Sequence, residues 1–234
     1  MVRYADEFGR NAMARLSDMV ALMEEHRVDT GSTLNLFARR LREAGRISKA
    51  GRGRGAASMT FTDASRFAIG CFATDHPEQA PIAEAAFSAT VLTDIGIVTG
   101  QWQLEASEGE PFDRALAKLL QALSRNEPAA ERAAKAAEAK AEGKGGLYLR
   151  PQFDVEISRS GVSAAIRGGG SHWIFHHPKM AAMISAETYL EAAALEAEFN
   201  SATLPFRTGK NVKVGMDARL LYALADLVGP DAAL

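Results

Sequence analysis

The segment RRLREAGRISKAGRGRGAASMTFTD, residues 39–63, joins the end of one predicted helix to the start of another through a basic, glycine-rich stretch. Gly45 suits a helix end, because glycine adopts the left-handed conformation there at little cost. Thr62 and Asp63 are residue types that commonly precede a helix. The glycines between them interrupt regular structure. The segment therefore predicts two helices separated by an exposed, positively charged connection.

The connection itself predicts a β-hairpin. We interpret residues 46–48 and 58–61 as two short strands and residues 49–57 as the hairpin tip. A helix over roughly 33–44, after a break and N-cap candidate at 29–32, has apolar side chains on one face and polar ones on the other. A third helix, opened by Thr62 and Asp63, ends near 75–77. Residues 31–76 thus read as a helix, a hairpin wing and a helix.

The charge of this unit is strongly positive, although the whole chain has a formal net charge of −2. Seven arginines and lysines lie between positions 39 and 54, opposed only by Glu43. Such a local excess predicts an anionic partner, although a solvated helix face is the plain alternative. Because a helix fits the DNA major groove and an adjacent ribbon reaches phosphates, we predict binding to double-stranded DNA. The predicted DNA-binding residues are Asn35, Arg39 and Arg42 in the groove, Arg40 and Arg46 on the flanking backbone, and Lys49, Arg52 and Arg54 on the wing.

The stretch LREAGRI (41–47), the basic wing and MTFTD (59–63) resemble the winged-helix regulators of the MerR and ArsR types. The resemblance covers residues 31–76 and implies a sequence-preferring, DNA-binding transcriptional regulator. It does not imply metal sensing, since the effector-binding cysteines of the metal-sensing members are absent. Arg46 stands where such proteins usually have an apolar residue. The arrangement is also similar, more loosely, to phage or prophage proteins.

The remaining chain predicts an α+β protein with an N-terminal winged-helix-like helical module and a C-terminal small antiparallel sheet with packed helices. We expect a DNA-binding region at 1–126, an Ala/Glu/Lys/Gly linker at 127–146, whose Ala-rich part suits a solvated helix, and a partner or oligomerisation domain at 147–234. Alternating apolar residues predict strands at 153–157, 162–166 and 171–176, the last two joined by a turn at 168–170. Further helices are predicted at 6–26, 78–93, 111–124, 181–199 and 216–228, and further strands at 97–104 and 211–214.

Composition predicts an ordinary globular protein of the cytoplasm, with 47% apolar and 24% charged residues. No apolar run approaches the ~20 residues that span a bilayer, and the first residues do not form a secretory signal. The single cysteine, Cys71, cannot form an internal disulfide, and we interpret it as a small core residue.

Several residues could belong to chemical sites, and each has a simpler interpretation. His172, His176 and His177 are the best metal ligands by type, but a strand spaces the first two about 13 Å apart. Asp154 and Glu156 share a strand face without the lysine of a two-metal nuclease. The glycine-rich tip lacks the ending of a nucleotide-binding loop. A second basic cluster at 207–213 is a solvated loop or an additional nucleic-acid contact. We therefore predict no enzyme activity, no metal and no cofactor.

Partners follow from the size of the predicted contact. One helix and one wing read only a few base pairs, so we expect a homodimer or a higher homo-oligomer. Two alternatives remain: a phage DNA-packaging or recombination accessory protein, and a virion-structural or interaction module whose basic loop meets an acidic protein.

Overall fold

A computed structural model describes residues 14–49, 58–97, 102–142, 151–204 and 210–234, and it shows an α+β protein. Within these ranges the helices are α1 (Leu16–Glu25), α2 (Gly31–Glu43), α3 (Phe61–Ala73), α4 (Ala80–Ser88), α5 (Phe112–Ser124), α6 (Glu127–Ala141), α7 (Pro178–Ile184), α8 (Tyr189–Thr203) and α9 (Ala218–Val228). The strands are β1 (Val91–Gly96), β2 (Phe153–Ser158), β3 (Ser163–Gly168), β4 (Ser171–His176) and β5 (Lys213–Met216).

The strands form an antiparallel sheet in the order β1-β4-β3-β2-β5. In β2 the apolar side chains of Phe153, Val155 and Ile157 are buried, and Asp154 between them is exposed. This alternation follows from the period of two along a strand. Gly169 and Gly170 turn the chain between β3 and β4 with φ values of 62° and 88°, which favour glycine. The predicted C-terminal strands and their glycine turn are confirmed.

Helices cover one face of the sheet and form the core with it. Phe112 at the start of α5 packs against Phe175 of β4, with ring centroids 5.1 Å apart. The hydroxyl of Tyr222 in α9 donates to the carbonyl oxygen of Pro151, just before β2. Helix α3 lies among α2, α4, α5 and α9. Each fully buried Leu or Phe in this core stabilises the fold by about 1.5–3 kcal/mol.

The two predicted domains share one sheet and one core. Strand β1 precedes the predicted linker, yet it pairs with β4, which follows it. The backbone N–H of Phe61 donates to the carbonyl oxygen of Ala233, near the carboxyl end of the chain. Helix α6 occupies most of the predicted linker. Among the described residues, the predicted boundary at 127–146 therefore does not separate two hydrophobic cores.

The predicted strands on either side of the basic tip are not strands. Residues 46–48 and 58–60 are irregular, and Phe61 is already the first residue of α3. The N–H of Met59 donates to the carbonyl oxygen of Ala14 and not to a hairpin partner. Thr60, rather than Thr62 or Asp63, is the N-cap residue of α3. The predicted tip from 50 to 57 lies outside the described residues.

Three other boundaries differ from the prediction. The helix predicted at 78–93 ends at Ser88, and residues from Val91 form β1. Of the strand predicted at 97–104, residues 98–101 lie outside the described ranges, and residues 97 and 102–104 are not in a strand. Pairing with β4 and the β-branched residues of this stretch override the helical pattern. The helix predicted at 181–199 is divided into α7 and α8, because Thr188 caps a new helix by accepting from the N–H of Glu191. Of the predicted helix 6–26, residues 6–13 lie outside the described ranges.

The described residues contain no helix that is both long enough and apolar enough to cross a membrane.

Candidate nucleic-acid interface

Helix α2 carries the first group of predicted DNA-binding residues on its outer side. The hydroxyl of Thr30 accepts from the N–H of Thr33 and so begins the helix. Leu34, Phe37 and Leu41 are buried and fix the inner face. Asn35, Arg39 and Arg42 are spaced at four and three residues, so they lie along the same side. The sequence correctly predicted this division of the helix into two faces.

Two of the arginines on α2 form ion pairs with the protein's own carboxylates. Arg39 Nε lies 2.7 Å from Glu43 Oε1, and Arg40 contacts both Glu43, at 3.1 Å, and Glu78, at 2.6 Å. Hydrogen bonds from Arg39 and then Arg40 lower the pKa of Glu43. Glu43 is about half exposed, so water and salt screen these pairs. Arg40 is the less available of the two cations, because it lies between two carboxylates.

Arg46 belongs to a buried ionic network. Its Nε and Nη2 donate to Glu84, which is completely buried on α4, and this contact raises the pKa of Arg46. Arg66 of α3 donates through Nη1 to the carbonyl oxygen of Arg46 and through Nε to Asp113 of α5. The hydroxyl of Ser88 donates to the same Glu84. Arg46 therefore anchors the start of the basic connection to α3 and α4.

Asn35 also has an internal partner. Its Nδ2 donates to the carbonyl oxygen of Gly31 at 2.7 Å, one turn earlier in α2. The side chain is exposed, and the amide oxygen remains available as an acceptor. A contact with a base edge would have to replace or share the bond to Gly31.

Within the described part of the chain, Arg42 and Lys49 are the predicted DNA-binding cations that form no ion pair with a carboxylate. Lys49 is exposed and Arg42 partly exposed, and neither forms a hydrogen bond or ion pair with a described residue. Arg52 and Arg54 lie outside the described residues. The free positive charge of this surface is thus smaller than the sequence count suggests.

A buried carboxylate holds the two ends of the basic connection together. Asp63 Oδ1 accepts from the N–H of Ser48 at 2.8 Å, and Oδ2 accepts from the N–H and the hydroxyl of Thr60. Ile47 and Met59, next to these residues, are also buried. We call residues 49–58 the basic loop. Both of its ends are fixed on the core by Asp63.

The sequence prediction did not assign this role to Asp63. Thr60 and Asp63 form a capping box, in which each side chain accepts from the other residue's N–H. The spacing of a threonine and an acidic residue three positions later is visible in the sequence and would have placed the helix start correctly. The bond to Ser48, in contrast, depends on the tertiary structure.

The other candidate residues have structural partners. Arg167 forms ion pairs with Asp154 and Glu156, and Lys213 pairs with Glu156 and lowers its pKa. His172 lies 3.5 Å from Asp94, and His176 Nδ1 lies 2.7 Å from the hydroxyl of Thr93. Among the residues that the structure describes, no group of three or more His, Cys, Asp or Glu is arranged to hold a metal ion.

Two remaining predictions concern Cys71 and the second basic cluster. Cys71 is half-buried on α3 beside the core, and burial raises the pKa of its thiol. This environment matches its interpretation as a small packing residue. Of the cluster at 207–213, residues 207–209 lie outside the described ranges. Lys213 pairs with Glu156 across the sheet.

The fold and this surface define an α+β protein with a tethered basic loop. Comparison of the chain with family models, with curated proteins and with solved structures finds no match.

Proposed function

We propose that this protein binds double-stranded DNA through the outer side of α2 and the basic loop, as a sequence-preferring regulator. The observation that carries the proposal is the excess of seven cations over one acid between positions 39 and 54. Arg42 and Lys49, which have no polar partner among the described residues, support it further. A helix side with Asn35 and Arg39 beside free cations suits base contacts flanked by phosphate contacts.

The ion pairs reduce the number of phosphate contacts to expect. Arg40 and Arg46 are engaged with carboxylates, which leaves Arg42, Lys49, Arg52 and Arg54 as the principal cations. Four phosphate contacts correspond to a slope of log affinity against log salt of roughly −3 to −4. This value is less steep than the slope of about −4 to −5 that five contacts would give.

The test is fluorescence anisotropy with a labelled random-sequence duplex over a series of salt concentrations. We expect the double charge reversal Arg42→Glu/Lys49→Glu to weaken binding roughly 10- to 100-fold, because it removes two phosphate contacts and adds repulsion. The matched control is Arg125→Glu/Lys140→Glu, which changes the net charge equally at exposed positions near and on α6. A salt slope near zero, or an equal loss in the control, would contradict the proposal.

Sequence preference needs a separate measurement. Selection from a random duplex pool identifies the preferred site, and Asn35→Ala should then reduce the difference in affinity between that site and random duplex. Loss of a base contact costs about 1–3 kcal/mol of discrimination. If Asn35→Ala weakens binding to both duplexes equally, Asn35 contributes no base contact.

A second candidate function is protein assembly, and the α7–α8 hairpin favours it. Ile184, Tyr189 and Leu190, around the turn between α7 and α8, are between 63% and 86% exposed. Clustered exposed apolar residues commonly mark protein interfaces. Mass measurement in solution separates the roles: a dimer favours the regulator, whereas six or more subunits favour a phage packaging component. Absence of duplex binding at low salt would favour an interaction or virion-structural module.

A further inference from the structure

An open cleft of about 460 Å³ lies on the side of the protein where β5 leads into α9. It is bordered by the turn between α1 and α2, the end of α3 and the start of α9. Its volume falls in the range of small-molecule sites, about 300–1,000 Å³. Val28, Phe72 and Leu220 provide apolar surface, and Arg27, Arg159 and Arg219 also line the cleft.

Arg27 occupies a backbone position that favours glycine. It follows the C-cap of α1, and its φ of 58° places it in the left-handed region. The N–H of Arg27 donates to the carbonyl oxygen of Glu24 and that of Val28 to Met23, which is the hydrogen-bond pattern of a Schellman motif. A non-glycine residue is strained in this conformation. The side chain of Arg27 forms no polar contact with any described residue, so its guanidinium is available to a ligand.

Arg159 places a buried positive charge in the cleft. Its side chain is only 9% exposed. Nε donates to the carbonyl oxygen of Phe72, and Nη1 lies 2.8 Å from Asp75 Oδ2. These bonds fix the plane of the guanidinium. Nη2 has no partner within the described ranges, so it can donate to a bound group.

The acidic residues around the cleft already have structural partners. Asp217 caps α9 by accepting from the N–H of Leu220, and this bond lowers its pKa. Asp29 accepts from the N–H of Thr30 at 2.6 Å. Asp75 pairs with Arg159, which lowers the pKa of Asp75. The start of α9 contributes the partial positive charge of a helix N-terminus. Arg219 also pairs with Asp217, which leaves Arg27 and Nη2 of Arg159 as the donors available to an anion.

We propose that this cleft binds a small organic anion, a phosphate or a carboxylate attached to an apolar body. Arg27 and Arg159 bind the anionic group, and Val28, Phe72 and Leu220 contact the apolar part. Arg27 lines the cleft from the turn between α1 and α2. Arg27 and Arg159 are not among the cations proposed to bind DNA, so this proposal does not depend on DNA binding.

The test compares phenyl phosphate, benzoate and the neutral benzyl alcohol by isothermal titration calorimetry on the full chain. We expect saturable binding of at least one anion and none of the alcohol; the anion that binds identifies the phosphate or the carboxylate as the recognised group. Arg27→Gly should weaken that binding at least about tenfold, because it removes a charged hydrogen-bond donor. The same variant should raise the Tm by about 2–4 °C, because glycine relieves the left-handed strain.

Two control variants establish that the anion binds in the cleft and through the side chain of Arg27. Asn126→Gly replaces a second non-glycine residue in the left-handed region, with φ of 56°. Asn126 follows the end of α5, whereas Phe112 at the start of α5 contacts the sheet. This variant should leave anion binding unchanged. Arg42→Glu/Lys49→Glu should also leave it unchanged, which distinguishes the cleft from the basic loop. Failure of both anions to bind, equal binding by Arg27→Gly, or loss of binding in either control would overturn the proposal.

Discussion

The backbone N–H of Ser48 donates to the carboxylate of Asp63 across a 15-residue separation in sequence. Asp63 is 5% exposed and also accepts from Thr60 at the other end of the basic loop. One carboxylate thus performs two tasks: it caps α3 and it closes the loop. The described residues at both ends of the basic loop are therefore held on the core.

We expect Asp63→Ala to lower the free energy of unfolding by about 1–3 kcal/mol, since it leaves buried donors without acceptors. Thr60→Ala is the matched control, because it removes the capping hydroxyl but keeps the bond between Asp63 and Ser48. Urea unfolding followed by circular dichroism measures both. An equal loss in the two variants would show that closing the loop contributes nothing to stability.

The pair of Arg46 and Glu84 gives a second prediction. Arg46→Met should destabilise the protein by about 3 kcal/mol, because it leaves the buried Glu84 carboxylate with only the longer contact to Arg66, at 3.9 Å, as an ion pair. The double variant Arg46→Met/Glu84→Leu should recover part of this loss, since the uncompensated carboxylate is then removed. Urea unfolding of both single variants and the double variant gives the coupling energy. Additive losses would contradict a direct interaction between the two side chains.

The partly buried position of His176 leads us to expect that the stability of the protein depends on pH. Burial lowers its pKa from the ordinary value of 6.5, and Asp94 opposes this effect only in part. The folded protein therefore binds this proton less readily than the unfolded chain does. Neutral His176 therefore contributes stability that is fully present above pH 6.5. This stability is lost as the pH falls from 6.5 through the pKa of His176 in the folded state.

The measurement is the decrease in Tm between about pH 7.5 and about pH 5.5, on either side of the ordinary histidine pKa. It should be smaller in His176→Gln than in the unmodified protein. The control is His76→Gln, at an exposed histidine, which should leave the decrease unchanged. Identical decreases in all three proteins would show that His176 does not contribute to the acid sensitivity.

Gly215 on β5 has no space for a side chain. A Cβ atom there would lie 2.6 Å from the carbonyl oxygen of Val155, which is backbone of β2 and cannot rotate away. We expect Gly215→Ala to cost about 1–3 kcal/mol of stability. Gly161→Ala is the control, because its new Cβ would meet its nearest neighbour at an ordinary 3.5 Å. Equal urea midpoints for the two variants would contradict a steric clash at Gly215.

Local patterns accounted for much of the fold. The apolar spacing of α2, α5 and α9 predicted those helices, and the alternation in β2 and β4 predicted those strands within a residue or two. The patterns failed where a distant partner decided the conformation. Residues from Val91 form a strand because β4 lies beside them, and 58–60 are irregular because Ala14 accepts from Met59.

The candidate site divides in the same way. Residue type and helical periodicity were enough to predict the cations along 39–54 and the outer side of α2. They could not predict which cations remain free of ion pairs, because Glu78 and Glu84 are 38 residues from the arginines they bind. The cleft could not be predicted from local patterns, since Arg27 and Arg159 belong to segments far apart in the chain.

The amino-acid sequence by itself determined the helices and strands that rely on local periodicity, and the concentration of positive charge in one short segment. Only the tertiary structure decided that β1 joins the C-terminal strands, that Arg46 neutralises a buried glutamate, and that Asp63 closes the basic loop. The reason is physical: periodicity and capping act within a few residues, whereas strand pairing, ion pairing and clefts depend on groups that folding brings together from distant positions.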